Sequence, residues 1–134
     1  MKYFTAFTLL LLLSTISYAQ SIRLKALNVK QTTVSTPNDI NPKWSDRTFN
    51  ADEFLLDFSD NEINWKDNKG SQQYQILQKS QPRSDTYKFS TSNANFIFTN
   101  LGNRDKYGFD YLVDAFISDG DGKFYLFRYQ CNYK

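Results

Sequence analysis

After Gln20 the chain alternates hydrophobic and polar residues with a period of two, which is the pattern of half-buried β-strands. The apolar positions are mostly Phe, Tyr, Ile and Val, residue types that favour strands over helices. Short polar stretches with Gly, Asn, Asp or Pro separate these runs and indicate turns. The pattern predicts an all-β fold of about eight antiparallel strands in meander order, as an up-and-down barrel or a two-layer sandwich.

The last hairpin has the clearest pattern. Hydrophobic residues occupy every odd position over residues 107–117, and the same alternation continues after an Asp-Gly-Asp-Gly sequence that is typical of a turn. This turn pairs Ile117 with Tyr125. The same register places Asp114 opposite Arg128 on the other face, and a slip by one residue would separate these opposite charges.

Three details of the earlier strands follow from the same alternation. A tight Asp-Asn turn pairs Phe58 with Ile63 across a second hairpin. A third hairpin pairs Phe89 with Phe96, which aligns aromatic residues across the strands. The alternation changes phase near Ala26, which indicates a bulge in the first strand.

Two stretches interrupt the strands. Residues 80–84 include Pro82 and break the alternation, so no strand is predicted there. Residues 35–52 form the one long connection, and a connection of this length in a compact domain is typical of a functional or a disordered segment. This connection contains Trp44 and Arg47.

The N-terminus has the pattern of an export signal. A lysine precedes an apolar run over residues 6–16, and Ser17 and Ala19 have the small side chains of a cleavage site. The run is shorter than the roughly 20 apolar residues that cross a bilayer, so we expect no stable membrane anchor. We predict a cleaved secretory signal peptide over residues 1–19, a single antiparallel β domain over residues 20–134, and a secreted or periplasmic location.

The composition excludes most catalytic chemistry. The chain has no histidine, which excludes Ser-His-Asp and Cys-His machinery. Its single cysteine, Cys131, forms no intrachain disulfide, and zinc rarely binds through carboxylates alone. A net charge of +2 gives no general attraction to nucleic acid. We therefore expect no catalytic residues, no metal site, no cofactor and no nucleic-acid partner.

Catalysis by a pair of carboxylates does not require histidine. Asp110 and Asp114 share one face of a strand, but four residues at ~3.3 Å each separate their Cα atoms by ~13 Å. Glycosidase carboxyl pairs lie ~5 to 9.5 Å apart. Acidic residues from different strands can still converge, so a small carboxylate-dependent hydrolase is an open alternative.

Two features favour binding. On the even face of the last hairpin, Leu112, Phe116 and Leu126 form an apolar island. An exposed island would be a partner surface, whereas an island under a second layer or under the long connection would be core. Trp44 and Arg47 are the second candidate, because an aromatic and a cationic side chain in a polar loop are typical of recognition sites.

We therefore expect a small exported β domain that binds a macromolecular partner or a small apolar ligand without catalysing a reaction. If the sheet closes as a barrel, its inward aromatic residues either fill the interior or leave a cavity for the ligand. Two alternatives remain open at this point: the carboxylate-dependent hydrolase, and a secreted inhibitor or surface interaction protein that acts through the apolar island.

Overall fold

The computed structural model describes residues 21–34, 43–46, 52–118 and 120–134. Two predictions concern residues outside these ranges, namely the signal peptide over residues 1–19 and the recognition role of Arg47. Within the described ranges, no helix is long and apolar enough to cross a membrane.

The described chain is almost entirely β, as the alternation predicts. Ten strands and one helical turn follow one another in this order: β1 (Ser21–Val34), β2 (Ser45–Asp46), β3 (Glu53–Asp57), β4 (Glu62–Asp67), β5 (Gly70–Gln75), β6 (Gln78–Arg83), β7 (Thr86–Ser90), β8 (Ala94–Asn100), α1 (Arg104–Tyr107), β9 (Tyr111–Ser118) and β10 (Phe124–Tyr133).

The strands form one antiparallel sheet that curls strongly into a half-barrel. Its order is β5-β4-β3-β1-β10-β9-β8-β7-β6, with the short β2 paired to β1. The first and last long strands, β1 and β10, are therefore neighbours in the middle of the sheet. Along the chain, the two residues Ile76 and Leu77 connect the edge strands β5 and β6. The N–H of Ile76 donates to the carbonyl of Asn61, just before β4, and the N–H of Leu77 donates to the carbonyl of Ser90, at the end of β7. The predicted all-β meander is confirmed.

The last hairpin has the predicted register. Tyr125 lies opposite Ile117, and Arg128 lies opposite Asp114. The guanidinium of Arg128 donates two hydrogen bonds, of 2.8 and 2.9 Å, to the two carboxylate oxygens of Asp114. This two-point contact fixes the register on the outer face of the sheet.

Two details of the earlier strands are also confirmed. Phe89 lies opposite Phe96 in the β7–β8 pair. The register between β1 and β10 shifts between Ala26 and Asn28, where the change of phase predicts a bulge.

The predicted pairing of Phe58 with Ile63 is wrong, because Ile63 lies opposite Leu56. The carboxylate of Asp57 accepts hydrogen bonds from the backbone N–H and the hydroxyl of Ser59, at 3.0 and 2.7 Å. These bonds stabilise a turn that is wider than the predicted two-residue turn. Since the register moves by two residues, the same side chains still face the inside of the sheet.

The predicted start of the last hairpin is also wrong, because β9 begins at Tyr111. The preceding Arg104–Tyr107 segment forms α1. The side chain of Asn103 caps this turn by accepting a 3.1 Å hydrogen bond from the backbone N–H of Lys106. Gly108 ends it with a φ of 82°, a left-handed conformation that favours glycine.

Strand β6 lies where the sequence predicts no strand. All six of its residues are exposed, so it has no hydrophobic alternation. It is an edge strand, and Pro82 is tolerated there because the free edge requires no hydrogen-bond donor. Its pairing with β7 is irregular between Ser80 and Arg83.

Aromatic side chains fill the inside of the curled sheet. Several of these rings meet edge to face, a geometry that contributes roughly 0.5–1.5 kcal/mol per pair beyond the burial of area. In the described part of the chain this interior is a packed core. The central rings have centroids 5.0 to 6.4 Å apart and belong to Phe54, Trp65, Phe96, Phe98 and Tyr129.

Candidate functional site

A carboxylate lies at one end of this aromatic core. Asp52 is only 6% exposed, although the sequence places it at the end of a polar connection. Its backbone carbonyl accepts a 2.8 Å hydrogen bond from the N–H of Ala26. Its Oδ2 atom accepts hydrogen bonds from the indole N–H of Trp65, at 2.8 Å, and from the hydroxyl of Tyr129, at 2.9 Å. Strand β1 therefore holds the backbone of Asp52 in place, and strands β4 and β10 hold its carboxylate.

The other carboxylate oxygen of Asp52, Oδ1, accepts no hydrogen bond from the described residues. Among those residues, no fully buried side-chain oxygen or nitrogen lacks a partner. Oδ1 is therefore accessible from the space beside it. A carboxylate that is largely removed from water is costly unless donors or a cation satisfy it, so this oxygen is an unfilled acceptor.

A cavity of about 260 Å³ opens beside Asp52, at the end of the sheet where β4 turns into β5. We call it the mouth cavity. It has room for roughly eight water molecules at ~30 Å³ each. Aromatic rings form part of its wall, and a polar turn forms its rim. The lining residues are Asp52, Trp65, Asp67, Asn68, Lys69, Gln72, Ile117 and Phe127.

The rim is held by local hydrogen bonds. Oδ1 of Asp67 accepts a 2.8 Å hydrogen bond from the backbone N–H of Lys69, which closes the turn. Gly70 follows with a φ of 138°, a conformation open to glycine. The hydroxyl of Tyr74 donates a 2.6 Å hydrogen bond to the side chain of Gln72, and burial, followed by the charge of Asp67, raises the pKa of this hydroxyl.

Two carboxylates, those of Asp52 and Asp67, line this one cavity. In each carboxylate one oxygen accepts hydrogen bonds from the protein. The donors are Trp65 and Tyr129 for Asp52, and the backbone N–H of Lys69 for Asp67. In the described ranges, no group of three or more His, Cys, Asp or Glu side chains has the arrangement of a metal site.

The predicted apolar island lies on the outer face of the sheet. Two of its three residues, Phe116 and Leu126, belong to one buried cluster, and Leu112 does not. Phe116 and Leu126 are 4% and 5% exposed and pack with Val34 in a small cluster. Trp44 packs against this cluster together with Ile97 and Phe124. Leu112 is half-buried beside it.

Leu112 and Trp44 line a second cavity of about 260 Å³, which we call the outer cavity. The ring of Trp44 lies 4.7 Å from the guanidinium of Arg128, a cation–π contact. The structure thus brings together two of the predicted binding residues at this cavity, while Arg47 lies outside the described ranges. The other lining residues are Asn28, Lys30, Phe109 and Gln130.

The sequence analysis did not identify the carboxylates of the mouth cavity, Asp52 and Asp67, as candidates. Asp52 is one acidic residue at the end of a long polar connection, with no local motif. Its role depends on Trp65, 13 positions away, and on Tyr129, 77 positions away. The only available signal was an acidic residue directly before a hydrophobic strand.

Comparisons of this chain with models of protein families, with curated proteins and with solved structures gave no match. The fold and the site define a small all-β domain with a polar cavity at one end of an aromatic core. The proposals below are therefore argued from the geometry of this domain.

Proposed function

We propose that this chain is a non-catalytic binding domain, exported by residues 1–19, that takes a small ligand into the mouth cavity. One observation carries the proposal. Asp52 is almost fully buried, two donors fix one of its oxygens, and its other oxygen faces a cavity with aromatic walls. A ligand that supplies the missing donor would compensate for the desolvation of this oxygen.

The surroundings of Asp52 support binding because they are ordered before a ligand arrives. The indole of Trp65 is held by its hydrogen bond to Asp52 and by ring contacts with Phe54 and Tyr129. A site that is already rigid loses little conformational entropy on binding. Aromatic walls with a few oriented polar groups are typical of small-molecule sites.

The position of the cavity refines the expected ligand. Rings occupy the interior of the described sheet, where a purely apolar ligand of a barrel would lie. The mouth cavity combines apolar walls with polar side chains of Asp52, Asn68 and Gln72. We therefore propose a ligand that is apolar in part and that presents at least one hydrogen-bond donor.

A fragment screen by NMR tests this proposal, because each cavity has its own side-chain N–H reporters. The protein is expressed with its full sequence, labelled with ¹⁵N and purified after export. Binding in the mouth cavity is expected to shift the resonances of the Trp65 indole and of the Asn68 and Gln72 amides. A screen that shifts none of these three reporters would contradict the proposal.

Two matched variants locate the binding on one face of β5. Gln72 lines the mouth cavity, whereas the adjacent Gln73 points to the other face of the same strand. Gln72→Phe is expected to weaken the binding of the selected fragments at least about tenfold by filling the cavity, and Gln73→Phe is expected to leave it within about twofold. Equal effects of both variants would exclude the mouth cavity as the site.

The outer cavity is a second candidate, for a macromolecular partner. Trp44 and Leu112, which the sequence analysis selected, line it together, and Phe116 and Leu126 lie in the cluster beside it. Its reporters in the same screen are the Trp44 indole and the Asn28 and Gln130 amides. If only these resonances shift, the binding site is assigned to the outer cavity and not to the mouth cavity.

One observation supports the alternative of a carboxylate-dependent hydrolase, namely that Asp52 and Asp67 line the same cavity. A panel of 4-nitrophenyl glycosides distinguishes it from binding. We expect no release of nitrophenol above the buffer rate. Release that both Asp52→Asn and Asp67→Asn abolish would replace binding by catalysis as the function of this cavity.

A further inference from the structure

On the basis of the proposed binding in the mouth cavity, we infer that the ligand carries a compact organic cation, an ammonium or guanidinium group, which the carboxylate of Asp52 binds through Oδ1. The inference rests on the partners of this carboxylate, on the charges that line the cavity, on its aromatic wall and on its size.

The described partners of the Asp52 carboxylate are neutral. Its Oδ2 atom accepts from the indole of Trp65 and the hydroxyl of Tyr129, and no described lysine or arginine forms an ion pair with it. The ion pairs of the described chain, such as Arg128 with Asp114, lie closer to the surface than Asp52 does. A buried carboxylate without a cation is best satisfied by a ligand that supplies one.

The charges that line the cavity agree with this. Among the described lining residues, Asp52 and Asp67 contribute two carboxylates and Lys69 contributes one cation, which is an excess of one negative charge. Lys69 is not within ion-pair distance of either carboxylate. A cationic ligand is therefore attracted to this cavity and an anionic ligand is repelled.

The aromatic wall adds a second attraction for a cation. The rings of Trp65 and Phe127 have centroids 6.2 Å apart, with planes at 66°, beside the carboxylate. The electron-rich face of an aromatic ring attracts an ammonium or guanidinium group, and Trp does so most strongly. A neutral alcohol would gain a hydrogen bond to Oδ1 but neither of these two charge-dependent attractions.

The size of the cavity limits the cationic group. A volume of about 260 Å³ has room for a small group such as an alkylammonium with one ring. A larger ligand would extend over the rim, where Asn68 and Gln72 provide amides for further hydrogen bonds.

A set of three probes of similar shape tests the inference on the unmodified protein. These probes are 2-phenylethylamine, 2-phenylethanol and 3-phenylpropionate, which are cationic, neutral and anionic at pH 7. Each is titrated at millimolar concentration while the indole N–H resonance of Trp65 is followed. We expect the amine to bind at least about tenfold more tightly than the alcohol, and no binding of the carboxylate.

Each other outcome contradicts the inference in a different way. Equal binding of the amine and the alcohol would overturn the cationic ligand but leave the proposed binding function intact. Binding of 3-phenylpropionate alone would assign the cavity to anions. If none of the three probes binds, the inference is overturned, and the fragment screen then decides separately whether the cavity binds any ligand.

Two carboxylate variants with the same change of charge provide the matched control. Asp52→Asn removes the charge next to the aromatic wall but keeps an oxygen for Trp65 and Tyr129, whereas Asp67→Asn removes a charge from the rim. We expect Asp52→Asn to weaken the binding of the amine at least about tenfold and Asp67→Asn to weaken it less than about threefold. Equal effects would overturn the assignment to Asp52.

Discussion

The hydroxyl of Tyr129 donates a 2.9 Å hydrogen bond to the carboxylate of Asp52, although the two residues are 77 positions apart in the chain. This bond runs inside the curled sheet from the start of β3 to β10 and crosses over β1, which lies between them. The indole of Trp65 on β4 donates to the same oxygen. One carboxylate therefore links β3 and β4 to β10 across β1, and it also faces the mouth cavity.

The first prediction concerns the stability that this carboxylate provides. Asp52→Ala removes the carboxylate that accepts hydrogen bonds from the indole N–H of Trp65 and from the hydroxyl of Tyr129, both on buried side chains. We expect the free energy of unfolding to fall by about 2–4 kcal/mol, as measured by urea denaturation. Asp67→Ala, which removes a carboxylate from the rim, should cost less than about 1 kcal/mol. Similar losses in both variants would contradict the role of Asp52 in the fold.

The second prediction concerns the apolar island on the outer face. Because Phe116 is 4% exposed and packs with Val34 and Leu126, Phe116→Asp would place a charge in a buried cluster. We expect a loss of more than about 3 kcal/mol in the free energy of unfolding. The control is Tyr125→Asp at a residue that is 40% exposed, with a cost of about 1 kcal/mol. A Phe116→Asp variant of unchanged stability would contradict the role of Phe116 in the core.

The third prediction concerns the response to acid. The carboxylate of Asp110 accepts hydrogen bonds from the guanidinium of Arg104, and a 2.9 Å hydrogen bond from the backbone N–H of Tyr133. These contacts, of which that with Arg104 has the largest effect, hold the pKa of Asp110 below its usual value. The stability that they provide is present above about pH 4, the pKa range of an unfolded aspartate, and is lost as the pH falls through the lower folded pKa.

Thermal unfolding between about pH 5 and pH 2 measures this effect. We expect Asp110→Asn to show a smaller decrease in Tm over this range than the unsubstituted protein. Above about pH 5 the two Tm curves should run parallel. Curves that also run parallel below pH 4 would mean that Asp110 titrates in the folded protein as it does in the unfolded chain.

The fourth prediction concerns the single thiol. Cys131 is fully buried, and burial, followed by the nearby charge of Asp52, raises the pKa of its thiol. Since only the thiolate reacts, we expect iodoacetamide at pH 8 to modify the folded protein at least about 100-fold more slowly than the urea-unfolded protein. Equal rates, or a disulfide-linked dimer under mild oxidation, would contradict this burial.

Much of the fold was predictable because its clearest signals are local. In the last hairpin, the alternation gives the inward face, and the charges of Asp114 and Arg128 independently give the register. By contrast, the register at Ile63 depends on the hydrogen bonds that the side chain of Asp57 accepts from Ser59 in the following turn. Hydrophobic alternation has no information about such a bond, because a shift by two residues leaves the faces unchanged.

The features that were missed have no periodic signal. Strand β6 is exposed at every residue, so its place in the sheet depends only on backbone pairing with β7. The helical turn α1 ends with Tyr107, which happens to continue the alternation of the following strand. The mouth cavity was missed because Asp52 meets Trp65 and Tyr129 only after three distant segments have come together. Such a site requires tertiary structure.

The pairing of β1 with β10 has a consequence for how this domain is made. Residues 24–34 find their partner in residues 124–133, which are synthesised after all the other described strands of this sheet. A nascent chain can join strands within each hairpin, but the middle of its sheet stays open until residues 124–133 have been made. Deletion of residues 124–133 would accordingly uncouple β3, β4 and β5 from β7, β8 and β9, and not merely shorten one edge.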